Sequence, residues 1–308
     1  MPLLDIILGY DCNLWCDYCT ITKAMRARRL EAPAVIAALE AGRRDGFDRL
    51  SITGGEPTIF AHLLPVVRRA AQLGYTAIKV QSNGLLWAPP GNVARAMHAG
   101  VSEFSVSIHS HRRAKYERIV RREGTFDAMV GGLRALVSAG VDPSADVIVM
   151  RDTLVDLEDS IGWLSEHGLR RADLWFVSLT DGNADNVQSM PSMGEAVPVM
   201  RRAFAEGRRR GMTVRSLHVP RCLLGEDESH AFDPASQGVR VMTPDATFDL
   251  ARSRITGQLH VPACAGCVHE HRCPGVREDY LRRFGDAEIA RARGVVPSRE
   301  GAVRLPVV

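Results

Sequence analysis

The chain has 308 residues, 45% of them hydrophobic and 24% charged, with a net charge of +3 at neutral pH. That balance fits one large globular domain, or one with a small appendage, and the charge is too small to argue for a nucleic-acid partner. No apolar run reaches the length of a membrane span and no charged-then-apolar leader precedes Leu3, so the expectation is a cytoplasmic protein with no membrane partner.

Residues 3–10 are a short, mostly apolar run, as expected of a buried parallel strand. After a cysteine-bearing loop, residues 32–46 read as a helix, because Val35, Ile36 and Leu39 repeat at helical spacing and Gly46 is a natural stop. Strands are then predicted at 50–53, 77–81, 103–108, 146–150 and 173–179. They alternate with helices at 63–73, 93–98, 126–137 and 157–166. Six strands alternating with helices imply an α/β fold with a parallel sheet and right-handed crossovers. The sheet could be open and doubly wound, or a curved partial barrel.

Residues 180–194 are rich in Asp, Asn, Gly and Ser and read as a loop. A helix at 197–210 and a strand at 212–219 lead to Cys222. Residues 222–273 have little periodicity and carry turns at Asp233-Pro234 and Thr243-Pro244. They read as an irregular segment organised by metal rather than by a large core.

Seven cysteines is an odd count in a chain without a secretion signal, which argues against a disulfide framework. They fall into two groups, with none between Thr20 and Arg221. Cys12, Cys16 and Cys19 have the spacing C-x3-C-x2-C. Three thiolates can hold three irons of a cubane cluster and leave the fourth iron open to a small molecule. The alternative is zinc, which wants four closed ligands; His109 or His111 could complete such a site. In the second group Cys222 precedes Cys264, Cys267 and Cys273, spaced C-x2-C-x5-C, and four thiolates suit either zinc or a [4Fe–4S] cluster. Between the groups, Ser51 to Pro57 reads as a strand entering a tight turn. Gly54 and Gly55 let backbone carbonyls approach a ligand closely, and Glu56 supplies an anionic acceptor for an ammonium group.

The C-x3-C-x-aromatic-C pattern, with Tyr18 as the aromatic, is followed one β–α unit later by Gly54-Gly55-Glu56-Pro57. Together these motifs resemble the radical S-adenosylmethionine (SAM) superfamily. The resemblance covers roughly residues 3–179 and implies a partial, TIM-like (β/α)6 barrel with a small irregular C-terminal cluster-binding extension. The corresponding units are a core at 1–195 and an extension at 196–308. The motifs fall after strands one, two and three, at the carboxyl ends where parallel barrels carry their chemistry.

The resemblance also implies site residues. Cys12, Cys16 and Cys19 would hold a [4Fe–4S] cluster that binds SAM. Gly54, Gly55, Glu56 and Pro57 would meet the SAM amino group, and Tyr18 would lie near the adenine. Asn83, Ser107, His109 and Arg122 are further candidate SAM contacts, although a plain turn accounts for Asn83 and a solvated basic loop for Arg122. The second cysteine group, continuing Pro274-Gly275-Val276-Arg277, looks like the auxiliary-cluster region of SPASM and twitch families, shortened to a single [4Fe–4S] cluster. All four cysteines could bind it, or Cys222 could be a free thiol that donates a hydrogen atom to a substrate radical.

The activity implied is reductive cleavage of SAM to a 5′-deoxyadenosyl radical that abstracts hydrogen from a substrate, with the cofactor carrying the hard chemistry. A flavodoxin or ferredoxin would supply electrons. The substrate expected is a ribosomally made peptide to be cross-linked, epimerised or given a thioether. A sugar or aminocyclitol to be dehydrogenated or epimerised is the alternative. The first strand begins at Leu3, so no leader-binding domain is expected ahead of it. A non-catalytic iron–sulfur or zinc redox sensor is the reading from another class, and Gly54 to Pro57 argue against it. Trp175 reads as core, and the runs Arg26–Arg29 and Arg208–Arg210 as solvated faces. A chain of this size could act as a monomer.

Overall fold

The computed structural model describes residues 2–233, 238–250 and 257–294. Pro234, and with it half of one predicted turn, lies outside those residues. Strand and helix alternate: β1 Leu3–Ile7, α1 Ala32–Arg44, β2 Arg49–Thr53, α2 Leu63–Gln72, β3 Ala77–Ser82, α3 Asn92–Ala99, β4 Glu103–Ser107, α4 Arg113–Val120, α5 Thr125–Ser138 and β5 Ser144–Val149. Then follow α6 Arg151–Leu154, α7 Leu157–Glu166, β6 Arg171–Phe176, α8 Met193–Arg209, β7 Thr213–Leu217 and α9 Arg221–Leu224. The remainder is β8 Val239–Met242, β9 Thr247–Asp249, β10 Gln258–Leu259, β11 Val276–Arg277, α10 Glu278–Phe284 and α11 Ala287–Arg293.

The main sheet has the strand order β7-β6-β5-β4-β3-β2-β1-β8-β9. Strands β1 to β7 run parallel, β8 adds in parallel beside β1, and β9 turns back antiparallel. Helix α4 and the pair α10–α11 were not predicted. The region after residue 195 is part of the sheet: it supplies β7 to one edge and β8–β9 to the other.

Each strand shows its two faces to different surroundings. Leu4, Ile6, Leu50, Ile52, Val80, Phe104, Val106, Val147 and Leu174 are fully buried. The helices cover them with apolar stripes such as Val35 and Leu39 of α1 and Leu63, Val66, Val67 and Ala70 of α2. The alternate positions are polar: Asp5, Ser51, Lys79, Ser105, Asp146, Asp173 and Arg215. Several of them pair with one another or with a neighbouring side chain. Arg215 forms a bidentate pair with Asp173 at 2.7 Å, Ser105 donates to Asp146, and Trp175 Nε1 donates to Asp146 at 3.0 Å. Burial raises the pKa of Asp5 and Asp146. On β1 this face keeps Leu3 and Ile7 on either side of Asp5, so the first strand is mostly apolar, as predicted.

No helix among the described residues is long and apolar enough to cross a membrane.

Candidate active site

The loop after β1 is pinned along its whole length. At its base Leu8 donates to Thr53 O at 3.0 Å and Leu30 donates to Leu8 O at 2.8 Å. Farther out, Trp15 and Asp17 donate to Val120 O and Ile119 O at the end of α4, at 3.2 and 2.9 Å. Arg26 donates to Cys12 O at 2.8 Å and Leu14 O at 2.7 Å, and its guanidinium lies 3.5 Å from the Trp15 ring centre. On the other side Gly182 donates to Thr20 O at 2.8 Å and Asn186 to Asp17 O at 3.1 Å. Arg26 therefore braces the cysteines, where sequence placed it on a solvated face.

Gly54 and Gly55 earn their identity by contact. A Cβ on Gly54 would lie 2.6 Å from Gly9 O, and one on Gly55 2.0 Å from Asp11 O. Without side chains the turn docks on the exit from β1, Gly55 donating to Gly9 O and Glu56 to Asp11 O, both at 2.8 Å. The Glu56 carboxylate, only 3% exposed, accepts from Thr58 N at 3.0 Å, Ser82 Oγ at 2.8 Å and Asn83 N at 2.7 Å. Its Thr58 hydroxyl bond adds a fourth donor. Glu56 ties β2 to β3, a job that the motif alone does not reveal.

Cys12, Cys16, Cys19, Tyr18, Gly54, Gly55, Asn83, Ser107 and His109 line one cavity of about 280 Å³. The opposite wall comes from the ends of β5 to β7: Ile148, Trp175, Phe176, Ser178 and His218. Glu56 and Pro57 face a neighbouring cavity of about 220 Å³ with Asp11 and His62. Arg122 lies outside both, exposed, and donates to Asn13 O at 2.7 Å. It supports the loop and does not reach the cavity as expected. His111 hydrogen-bonds Ser160 at 3.0 Å and His109 pairs with Tyr18 at 2.5 Å, so neither completes a zinc site with the first three cysteines.

All seven cysteines are free and half-buried. Burial pushes the Cys12 thiol up to about 11 and Cys16 up to about 12, so these thiols become thiolates when a cation arrives to offset the charge. Leu14 N–H, 3.4 Å from Cys12 Sγ, already points at that sulfur. Among the described residues, no three His, Cys, Asp or Glu side chains converge on a single-ion site; the thiols are spread along the cavity wall instead.

The second group is assembled from three places. Cys222 on α9 joins Cys264, Cys267 and Cys273 around a narrow cleft also lined by His260, His269 and Glu270. Burial, then the three neighbouring thiols, push Cys222 up to about 11. This segment is anchored to the sheet by Asp279, which accepts from Leu179 N at 2.7 Å and pairs with Arg277 at 2.9 Å.

Sequence reading missed much of the wall formed by the ends of β5 to β7, Trp175 and His218 among it. Trp175, read as core, lines the cavity, and its ring meets His218 edge-on with centroids 5.5 Å apart. The signal for Trp175 was its parity with Asp173 on one strand; His218 carried none. Among the described residues lining the cavity, Arg26 is the one guanidinium or ammonium side chain.

A family model described as the Radical SAM superfamily matches residues 6–164. Molybdenum cofactor biosynthesis protein 1 of Homo sapiens is 30% identical over 94% of this chain and 46% of its own. A GTP 3′,8-cyclase of Moorella thermoacetica is 30% identical over 48% of this chain and 47% of its own. The chain spans at most about half the length of these curated relatives. In fold it is similar to Streptococcus suis SuiB bound to precursor peptide SuiA, with TM-score 0.71, 12% identity, and coverage of 92% of this chain and 73% of that one. It is also similar to a hexahistidine-tagged anSMEcpe with bound AdoMet, with TM-score 0.66, 12% identity, and coverage of 96% of each chain.

Proposed function

The chain belongs to the radical SAM superfamily of enzymes, and from that premise we propose that Cys12, Cys16 and Cys19 hold the [4Fe–4S] cluster at which SAM binds. When bound, that pair supplies hydrogen-atom abstraction from a substrate carbon through a 5′-deoxyadenosyl radical. The observation that carries the reading is the shared wall: three thiols, Tyr18 and the Gly54–Gly55 backbone border one cavity. The donor set fits a cubane with one iron free of protein. His109 Nδ1 is a buried atom without a partner, and a bound cofactor can satisfy it.

The chain's own residues do the rest. Arg26 and the α4 end hold the cysteines in place, Glu56 holds the glycine turn against β3, and Tyr18 and His109 fix each other. Trp175 and His218 form the wall opposite the cysteines. We assign Cys222, Cys264, Cys267 and Cys273 to a second [4Fe–4S] cluster in a twitch-like region, within 196–308, beside a partial (β/α)6 barrel at 1–195. A flavodoxin- or ferredoxin-type donor in a reducing cytoplasm fits this cofactor set.

For the substrate we favour a peptide segment. Among the described residues lining the cavity Arg26 is the one cationic side chain, and two of its nitrogens already hold backbone carbonyls, which is little charge to offset a triphosphate. The names of the relatives favour a second reading, a purine nucleotide such as GTP. Anaerobic reconstitution, dithionite and SAM test the main proposal: 5′-deoxyadenosine is expected from the wild-type chain and not from a Cys12→Ala/Cys16→Ala/Cys19→Ala variant. Equal yields from the two would refute it. GTP consumed together with SAM would establish the second reading over the first.

A further inference from the structure

His218 stands in a backbone conformation that its side chain disfavours. It follows β7 with φ 72°, in the left-handed region that glycine enters freely and a β-carbon resists. Among the described residues only Arg121 and Asp181 share this feature without being glycine; of the three, His218 alone lines the main cavity. A strained residue kept at a cavity wall is a pointer to function.

Its chemistry is legible from its contacts. Nδ1 lies 3.5 Å from Phe176 O, and a carbonyl can only accept, so Nδ1 carries the proton and Nε2 presents a bare lone pair. No hydrogen bond from the described residues is made to Nε2. Burial, and then the nearby Arg277 charge, depress the imidazole pKa to about 4, which keeps that lone pair unprotonated at neutral pH. Trp175 closes one side of the ring. Cys222, four residues on, lines the second cysteine cleft, so His218 sits on the short segment joining the two sites.

We propose that His218 is a substrate-positioning residue whose Nε2 accepts a hydrogen bond from an uncharged N–H or O–H of the substrate, beside Trp175. Such a donor belongs to a peptide amide or a hydroxylated small molecule and not to a phosphate. This deepens the function proposed above and rests on it.

The test uses the cluster-containing, SAM-loaded chain. Diethyl pyrocarbonate acylates accessible neutral imidazoles, and trypsin releases residues 216–221 with His218 as their one histidine. Exposed His62 and His98 report on the reagent. Labelling of His218 is expected, slowed about tenfold by a donor probe at about ten times its Kd. The probes are N-acetyl-alanine methylamide for the amide and methyl glucoside for the hydroxyl. Slowing by either supports the proposal and identifies the donor. No labelling, labelling unaffected by both probes, or equal protection by SAM alone overturns it.

A substitution guards against a merely structural role. His218→Gly relieves the strained φ, so its Tm is expected to match or exceed wild type; a clear fall in Tm counts against the proposal. Formation of 5′-deoxyadenosine by the wild-type chain is read separately, so failure of the radical chemistry is distinguishable from failure at His218.

Discussion

The phenol oxygen of Tyr18 lies 2.5 Å from Nε2 of His109, with the two rings edge to face at 4.7 Å. One residue precedes Cys19 and the other follows β4, so this contact locks the cysteine loop to the middle of the sheet. Desolvation holds the tyrosine pKa well above its ordinary value and depresses the histidine to about 3. Burial keeps both side chains uncharged at neutral pH.

A pH dependence follows from His109. The unfolded chain binds this proton near pH 6.5 and the folded chain near 3, so between those values the unfolded state holds more protons and stability rises with pH. The contribution is complete above pH 6.5 and is lost as pH falls toward 3. Lowering the pH from 7 to 5 should cost about 2 kcal/mol through this group. His109→Gln, which keeps an acceptor for Tyr18, is expected to remove that part of the slope in urea titrations at the two pH values. An unchanged slope would show the imidazole to be solvated.

Gly55→Ala places a Cβ against backbone that cannot move aside, 2.0 Å from Asp11 O. The expected loss is roughly 1–3 kcal/mol of stability. It should be accompanied by lower iron content, because the same turn holds the exit of the cysteine loop. Thermal unfolding and iron analysis on one preparation check both. A stable, fully loaded variant would mean the turn is free to shift.

Cys222→Ala separates ligand from hydrogen donor. As a ligand, its loss should remove one of two clusters and leave about half of the wild-type iron. Retention of all the iron, with an altered product, would instead assign Cys222 to hydrogen donation.

Asp279→Ala should free the C-terminal segment from the sheet. It strands the buried Arg277 guanidinium and loses the Leu179 N–H bond, a change worth about 3–5 kcal/mol. Limited proteolysis is expected to cut within the 276–294 region before the rest of the chain. Cleavage at wild-type rates would place the anchor elsewhere.

Much of this protein was readable without coordinates because its informative features are local in the chain. The β–α alternation follows from apolar period, and the C-x3-C-x2-C motif and the Gly54-Gly55 turn are each contained in a short stretch of chain. Helix α4 was missed because its Arg- and Glu-rich surface hides the three residues it buries, Tyr116, Ile119 and Val120. Glu56 read as a ligand acceptor because two of the donors that occupy it, on Ser82 and Asn83, lie at and just past the end of another strand.

By itself, then, the order of residues determined the family, the parallel sheet and the grouping of the first three cysteines, all of which depend on spacing along the backbone. Only the tertiary structure decided that Trp175 faces a cavity, that Arg26 is a brace and Arg122 an outlying one, and that His218 stands opposite the cysteines. Those facts depend on which strands neighbour each other and which face each residue takes. Residues such as Cys16 and His218, at the two ends of a seven-strand succession, line one cavity through packing that no short motif records.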